Sequence, residues 1–195
     1  MNQNAPNPQN YYSYLVEQLN TNSYAHTLNH LAELVQDDPA GFDFLWELAF
    51  GENETIAMRA SAVMERIARK FPDTFESRQV EIIQAFKQDL PNGLARNLLK
   101  GLRYISYQEK NSGFLLNYCL DIIQSNQPAP AIKVYAMDIV WKIIQDYPEL
   151  IVEFQIIMEQ QVHSEIPSIA AHTRNMIKQM NTFQKKQLQK PSKHD

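Results

Sequence analysis

The chain has 195 residues, with 22 acidic and 18 basic side chains and a formal net charge of −4. Net acidity argues against a general nucleic-acid binder, and a single cysteine, Cys119, leaves no intrachain disulfide. No run approaches the roughly 18 consecutive apolar residues of a membrane-spanning helix, and the length suits one domain with a sizeable core.

Residues 1–10, MNQNAPNPQN, are polar and uncharged. They lack the basic and apolar regions of a secretory signal and read as a disordered N-terminus. With the lone cysteine, this points to the cytoplasm. Tyr11–Asn20 and Tyr24–Gln36 form an opening helix pair, the second with a stripe of Leu28, Leu31, Leu34 and Val35. His26 and His30 stand four apart with Glu33 nearby, a spacing that could hold a metal. No HExxH motif or further ligand accompanies them, so solvent exposure is expected and neither metal nor cofactor is assigned. Asp38-Pro39 reads as an N-cap and first helical residue, opening a helix over 42–50. Gly51–Thr55 turns the chain into the next helix, IAMRASAVMERIARKFP at 56–72.

Asp73 with Glu76 three residues on resembles a capping box, ahead of VEIIQAFK at 80–87. Pro91-Asn92 starts a helix over 94–105, and 107–113, YQEKNSG, reads as a loop. FLLNYCLDII at 114–123 puts Cys119 on an apolar side, as a small buried hydrophobe. A connection at 127–130 leads to AIKVYAMDIVWKIIQDYP at 131–148. IVEFQIIMEQQV at 151–162 and IAAHTRNMIKQM at 169–180 complete the helical part. From Thr182 the chain is polar and basic, with Lys185, Lys186, Lys190 and Lys193, and 183–195 reads as a frayed helix end or disordered tail.

Four of these helices are versions of one another. Aligned on Ile56, Leu94, Ile132 and Ile169, they recur at 38, 38 and 37 residues. Such a period marks stacked repeats. One column holds Ala60, Leu98, Ala136 and Thr173, and the next Val63, Gly101, Ile139 and Met176. Met64, Leu102, Val140 and Ile177 follow, then Ile67, Ile105, Ile143 and Met180. The spacing i, i+3, i+4, i+7 is one helical stripe. Thr173 reads as a polar cap position, and Gly101 as close packing or a weak point. Each of these B helices follows an apolar A helix. The paired helices, their period and the endings Lys70-Phe71-Pro72-Asp73 and Asp146-Tyr147-Pro148-Glu149 resemble HEAT and armadillo repeats over about Pro39–Asn181. The resemblance implies an all-α, right-handed α-α superhelix of about four helix pairs with an N-terminal capping pair. It would form a single domain over 11–182, its B helices lining the concave face.

The B segments carry eleven basic residues and two acids, Glu65 and Asp138. A basic concave face on an acidic protein would attract an anionic partner. Arg59, Arg66, Arg96, Lys100, Arg103, Lys142, Arg174 and Lys178 are the candidate contacts, with Tyr104, Tyr135 and Trp141 as anchors. The expected function is a non-catalytic module that binds an acidic segment of another protein. Nucleic-acid binding is the first alternative. HEAT-like alkylpurine DNA glycosylases use an Asp with Trp and Arg side chains in a basic groove, and Asp138, Trp141, Arg103 and Lys100 are similar ingredients. A structural or oligomeric subunit is the second alternative. No P-loop, GxGxxG, GxSxG, CxxC or HExxH motif points to catalysis.

Overall fold

The computed structural model describes residues 8–21 and 24–189, and among them there are eleven α-helices and no strand. The chain forms two compact units, one up to Phe114 and one from Leu115. The first contains α1 (Pro8–Thr21), α2 (Ala25–Val35), α3 (Pro39–Ala49), α4 (Glu54–Lys70), α5 (Pro72–Glu76), α6 (Gln79–Ala85) and α7 (Asn92–Leu102). It ends in the first turns of α8 (Glu109–Gln124). The second contains the rest of α8, then α9 (Pro130–Asp146), a 3-10 turn at Pro148–Leu150, α10 (Ile151–Gln161) and α11 (Pro167–Leu188). The B helices of the repeat are α4, α7, α9 and α11. Pro39, Pro72, Pro130 and Pro167 each open a helix, where a missing N–H costs nothing.

In the first unit α4 is the hub, packed on α1, α2, α3, α5 and α7. Its predicted stripe, Ala60, Val63, Met64 and Ile67, is fully buried. So are its flanks, at Ser61, Glu65 and Ala68. Polar flank residues must then find partners inside the protein. Ser61 Oγ donates to Met58 O at 2.8 Å and accepts from Asn97 Nδ2 of α7 at 2.8 Å. Asn97, though polar, is itself buried. Gly101 resolves as close packing: a Cβ there would stand 2.8 Å from the Phe75 ring and 3.2 Å from the Ala68 Cβ. Phe75 is fully buried and has nowhere to retreat.

Gln79, 1% exposed, ties the α7–α8 connection to α6. Its Nε2 donates to Ser106 O at 2.7 Å. Its Oε1 accepts from Gln108 N at 3.0 Å and from Asn111 Nδ2 at 2.6 Å. Anchored this way, α8 starts at Glu109, inside the stretch read as a loop. The capping-box expectation also fails. Phe71 is the residue preceding α5, and the Glu76 carboxylate accepts from Ser106 N at 3.1 Å instead. Asp38 makes no side-chain cap to α3. Burial and the nearby Asp38 carboxylate push the Tyr11 phenol up to about 12. The cap that does form is Asn53, whose Oδ1 accepts from Ile56 N at 3.1 Å.

The second unit has its core in Leu115, Cys119 and Ile123 of α8, Met137, Ile139 and Val140 of α9, Phe154 and Met158 of α10, and Met176 and Met180 of α11. Burial pushes the Cys119 thiol well above its ordinary value, as for a packed hydrophobe. Thr173 is fully buried, contrary to the cap expected of it, and its hydroxyl meets Met137 Sδ at 3.8 Å. α11 runs on to Leu188, so 183–188 is the end of a helix, the first of the two alternatives for that stretch. Phe183 explains the extension: its ring meets Trp141 edge-on, with centroids 5.4 Å apart. Residues 1–7 and 190–195, with Lys190 and Lys193, lie outside the described residues.

Gly101→Ala tests the close approach. Alanine favours a helix by about 1 kcal/mol over glycine, but overpacking a filled core costs roughly 1–3 kcal/mol. A lower melting temperature is expected by thermal unfolding. A higher one would show that Phe75 yields.

Candidate functional site

The predicted basic residues divide into those the protein uses internally and those it leaves in solvent. Arg59 belongs to the first group. Its Nη1 donates to Leu19 O at 2.8 Å and Asn20 O at 2.9 Å, at the C-terminal end of α1. A cation is favoured there by the helix dipole and the unpaired carbonyls. Arg59 thus acts as a brace for the opening helix.

Glu65 organises a second internal set. Its carboxylate is 4% exposed, with Oε1 3.1 Å from Lys100 Nζ of α7 and Oε2 3.8 Å from Arg66 Nη1. Arg66 also donates to Ala62 O at 2.7 Å, and burial pulls its guanidinium below the ordinary value. One buried negative charge therefore neutralises two of the expected groove cations and joins α4 to α7. Lys70 pairs with Glu33 of α2 at 2.7 Å, which holds that carboxyl below its usual range. Glu33 is thereby engaged by Lys70. His26 stacks on Tyr24, with centroids 5.7 Å apart. No group of three or more metal-ligating side chains occurs among the described residues.

Lys133 lies in the first turn of α9, 6% exposed, and burial lowers its ammonium pKa. Arg103, Tyr135 and Lys142 are half-buried and engaged with other groups of the protein. Tyr104 is 38% exposed. Asp138 Oδ1 stands 2.8 Å from His172 Nε2 across α9 and α11. Trp141 is only 9% exposed, so its ring lies at the bottom of a hollow and not on the open surface. A buried Trp141 and a His172-bound Asp138 do not present the open aromatic and free acid of the glycosylase-like arrangement.

The B-helix cations left exposed and without an ion pair are Arg69 on α4, Arg96 on α7, and Arg174, Lys178, Lys185 and Lys186 on α11. None of these six has an ion-pair partner among the described residues. α11 contains no acidic residue. Arg174, Lys178 and Lys185, at i, i+4 and i+11, share one helix face. Beside Lys178 a hollow of about 430 Å³ opens, lined by Trp141 and Phe183 together with Thr182, Gln179 and Lys186. Sequence reasoning missed Phe183, Lys185 and Lys186 because they sit in the polar C-terminal stretch. The available signal was Phe183 itself, seven residues after Met176 and so continuing the α11 stripe.

Glu65→Gln removes the buried charge while keeping its shape. Breaking a fully buried pair costs roughly 3–5 kcal/mol. Lys100 is 35% exposed, and solvent screens part of that, so a loss of about 1–3 kcal/mol is expected from urea unfolding. An unchanged midpoint would mean α4 and α7 hold together without the charge.

No helix among the described residues is long and apolar enough to cross a membrane. No curated protein matches the chain. A family model described as a HEAT repeat domain matches residues 15–180. The match begins within α1, ends within α11 and takes in every helix between them. HEAT repeat domains are typically non-catalytic scaffolds for protein interaction. On the helical repeat and this match together, the chain belongs to the HEAT repeat domain family.

Proposed function

We propose that the protein is a non-catalytic interaction module that binds an acidic segment of a partner protein along the basic side of its B helices, with α11 as the principal surface. The observation that carries this is the run of Arg174, Lys178, Lys185 and Lys186 on an acid-free helix, all exposed and unpaired among the described residues. Unpaired cations clustered on one element of a net-acidic protein cost self-repulsion and gain nothing internally. A complementary surface offsets that cost. Arg59, Arg66 and Lys100 contribute to the fold and are not primary contacts, since binding through them would break existing pairs.

The test is fluorescence anisotropy with a labelled Glu/Asp-rich peptide and, separately, a labelled oligonucleotide, at low and high salt. The Arg174→Glu/Lys185→Glu variant alters two exposed side chains and is expected to keep wild-type helicity. It should weaken peptide binding by about tenfold or more, because each exposed ion pair contributes roughly 0.2–1 kcal/mol and reversal both removes and opposes it. Peptide binding unaffected by the reversals would refute α11 as the surface. Preference for the oligonucleotide, falling steeply with salt, would assign the cations to phosphate contacts instead.

A further inference from the structure

The hollow between α9 and α11 makes the acidic-partner reading more specific. Its buried side is an aromatic pair, Trp141 and Phe183, in edge-to-face contact. Its exposed side carries Lys178 and Lys186, and no acidic residue lines it. A volume of about 430 Å³ falls within the range of small-ligand clefts and suits one large side chain with some flanking backbone. We propose that this hollow is an anchor socket for a single aromatic or large aliphatic side chain, presented by a partner segment whose neighbouring residues are acidic. The inference rests on the acidic-partner reading above.

The socket combines two kinds of recognition. An apolar side chain that enters it exchanges water for the Trp141 and Phe183 rings, and aromatic anchors in desolvated pockets dominate interface energies. Carboxylates on either side meet Lys178 and Lys186, which have no competing internal partner among the described residues. Charge also selects the occupant. The chain's own C-terminal residues add Lys190 and Lys193 against one acid, Asp195, and its first seven residues are uncharged. Neither complements a basic rim. The hollow on the other side of Phe183, near Ile151 and Leu188, has one cation, Lys185, and only one aromatic ring. It lacks the paired features that specify a ligand.

The probe is an array of synthetic peptides with four glutamates around a central position occupied in turn by each of the twenty residues. Binding is read by the fluorescence anisotropy of a dye on the peptide N-terminus, so that tryptophan can be placed in the peptide or in the protein without disturbing the readout. Peptides centred on Phe, Trp, Tyr or Leu should bind at least about tenfold more tightly than those centred on Ala or Gly, a hot-spot-sized difference. Thr182→Trp places a bulky exposed residue at the socket and should erase that selectivity while leaving binding of the alanine-centred peptide intact. Lys178→Glu/Lys186→Glu should weaken every glutamate-flanked peptide. Equal binding of Ala- and Phe-centred peptides overturns the socket and leaves the acidic-partner reading standing. Equal binding when the flanking glutamates become glutamines overturns both. Selectivity that survives Thr182→Trp places the anchor elsewhere and likewise overturns the socket.

Discussion

A helix with other helices on both flanks has no polar face to spare, and this constraint governs α4 and everything built on it. Its stripe faces the core, α7 covers one flank, and α1 and α2 pack against it as well. Several polar residues on those flanks find partners within the protein. Ser61 is met by Asn97, Glu65 by Lys100, and Arg59 by the carbonyls that end α1. The apolar stripe supplies most of the stabilisation, at roughly 1.5–3 kcal/mol for each large side chain fully buried. The polar pairs set the register in which α4 and α7 lie. Gly101 sets how near they come, because any side chain there would collide with Phe75.

The same constraint separates what the sequence could reveal from what it could not. The repeat was legible because stripe positions recur with the helical period. Of its sixteen residues only Ile177 is not buried. The flanks were not legible, since a flank residue in a stacked helix and a solvent residue in an isolated one are the same amino-acid types. Asn97 and Glu65 look like surface residues in one dimension and are buried in three. Arg59 and Lys100 read as contacts for a partner and already have internal ones. Trp141 packs edge-on against Phe183, a contact that the sequence did not signal because Phe183 lies in the polar C-terminal stretch.

α11 differs because no described helix closes over its outer flank. Its cations keep their charge in water, with no buried carboxylate comparable to Glu65 beside them. Counting basic residues over all B helices therefore spreads evenly a charge that the fold concentrates. Arg59, Arg66, Lys70 and Lys100 act as internal ties, whereas the cations of α11 form a solvated array.

The Gln79 network bears on which connections could change length. Between Arg103 and Gln108 the backbone is held at Ser106 by Glu76 and Gln79, and at Gln108 by Gln79 again. An inserted residue there would shift these donors and acceptors by one step and leave a buried amide side chain unmatched. The connection before α9 is tied only locally, by Gln127 N to Ser125 Oγ at 3.2 Å. Natural length variation should collect at that second connection, while the first, though it has no regular structure, should drift as slowly as core.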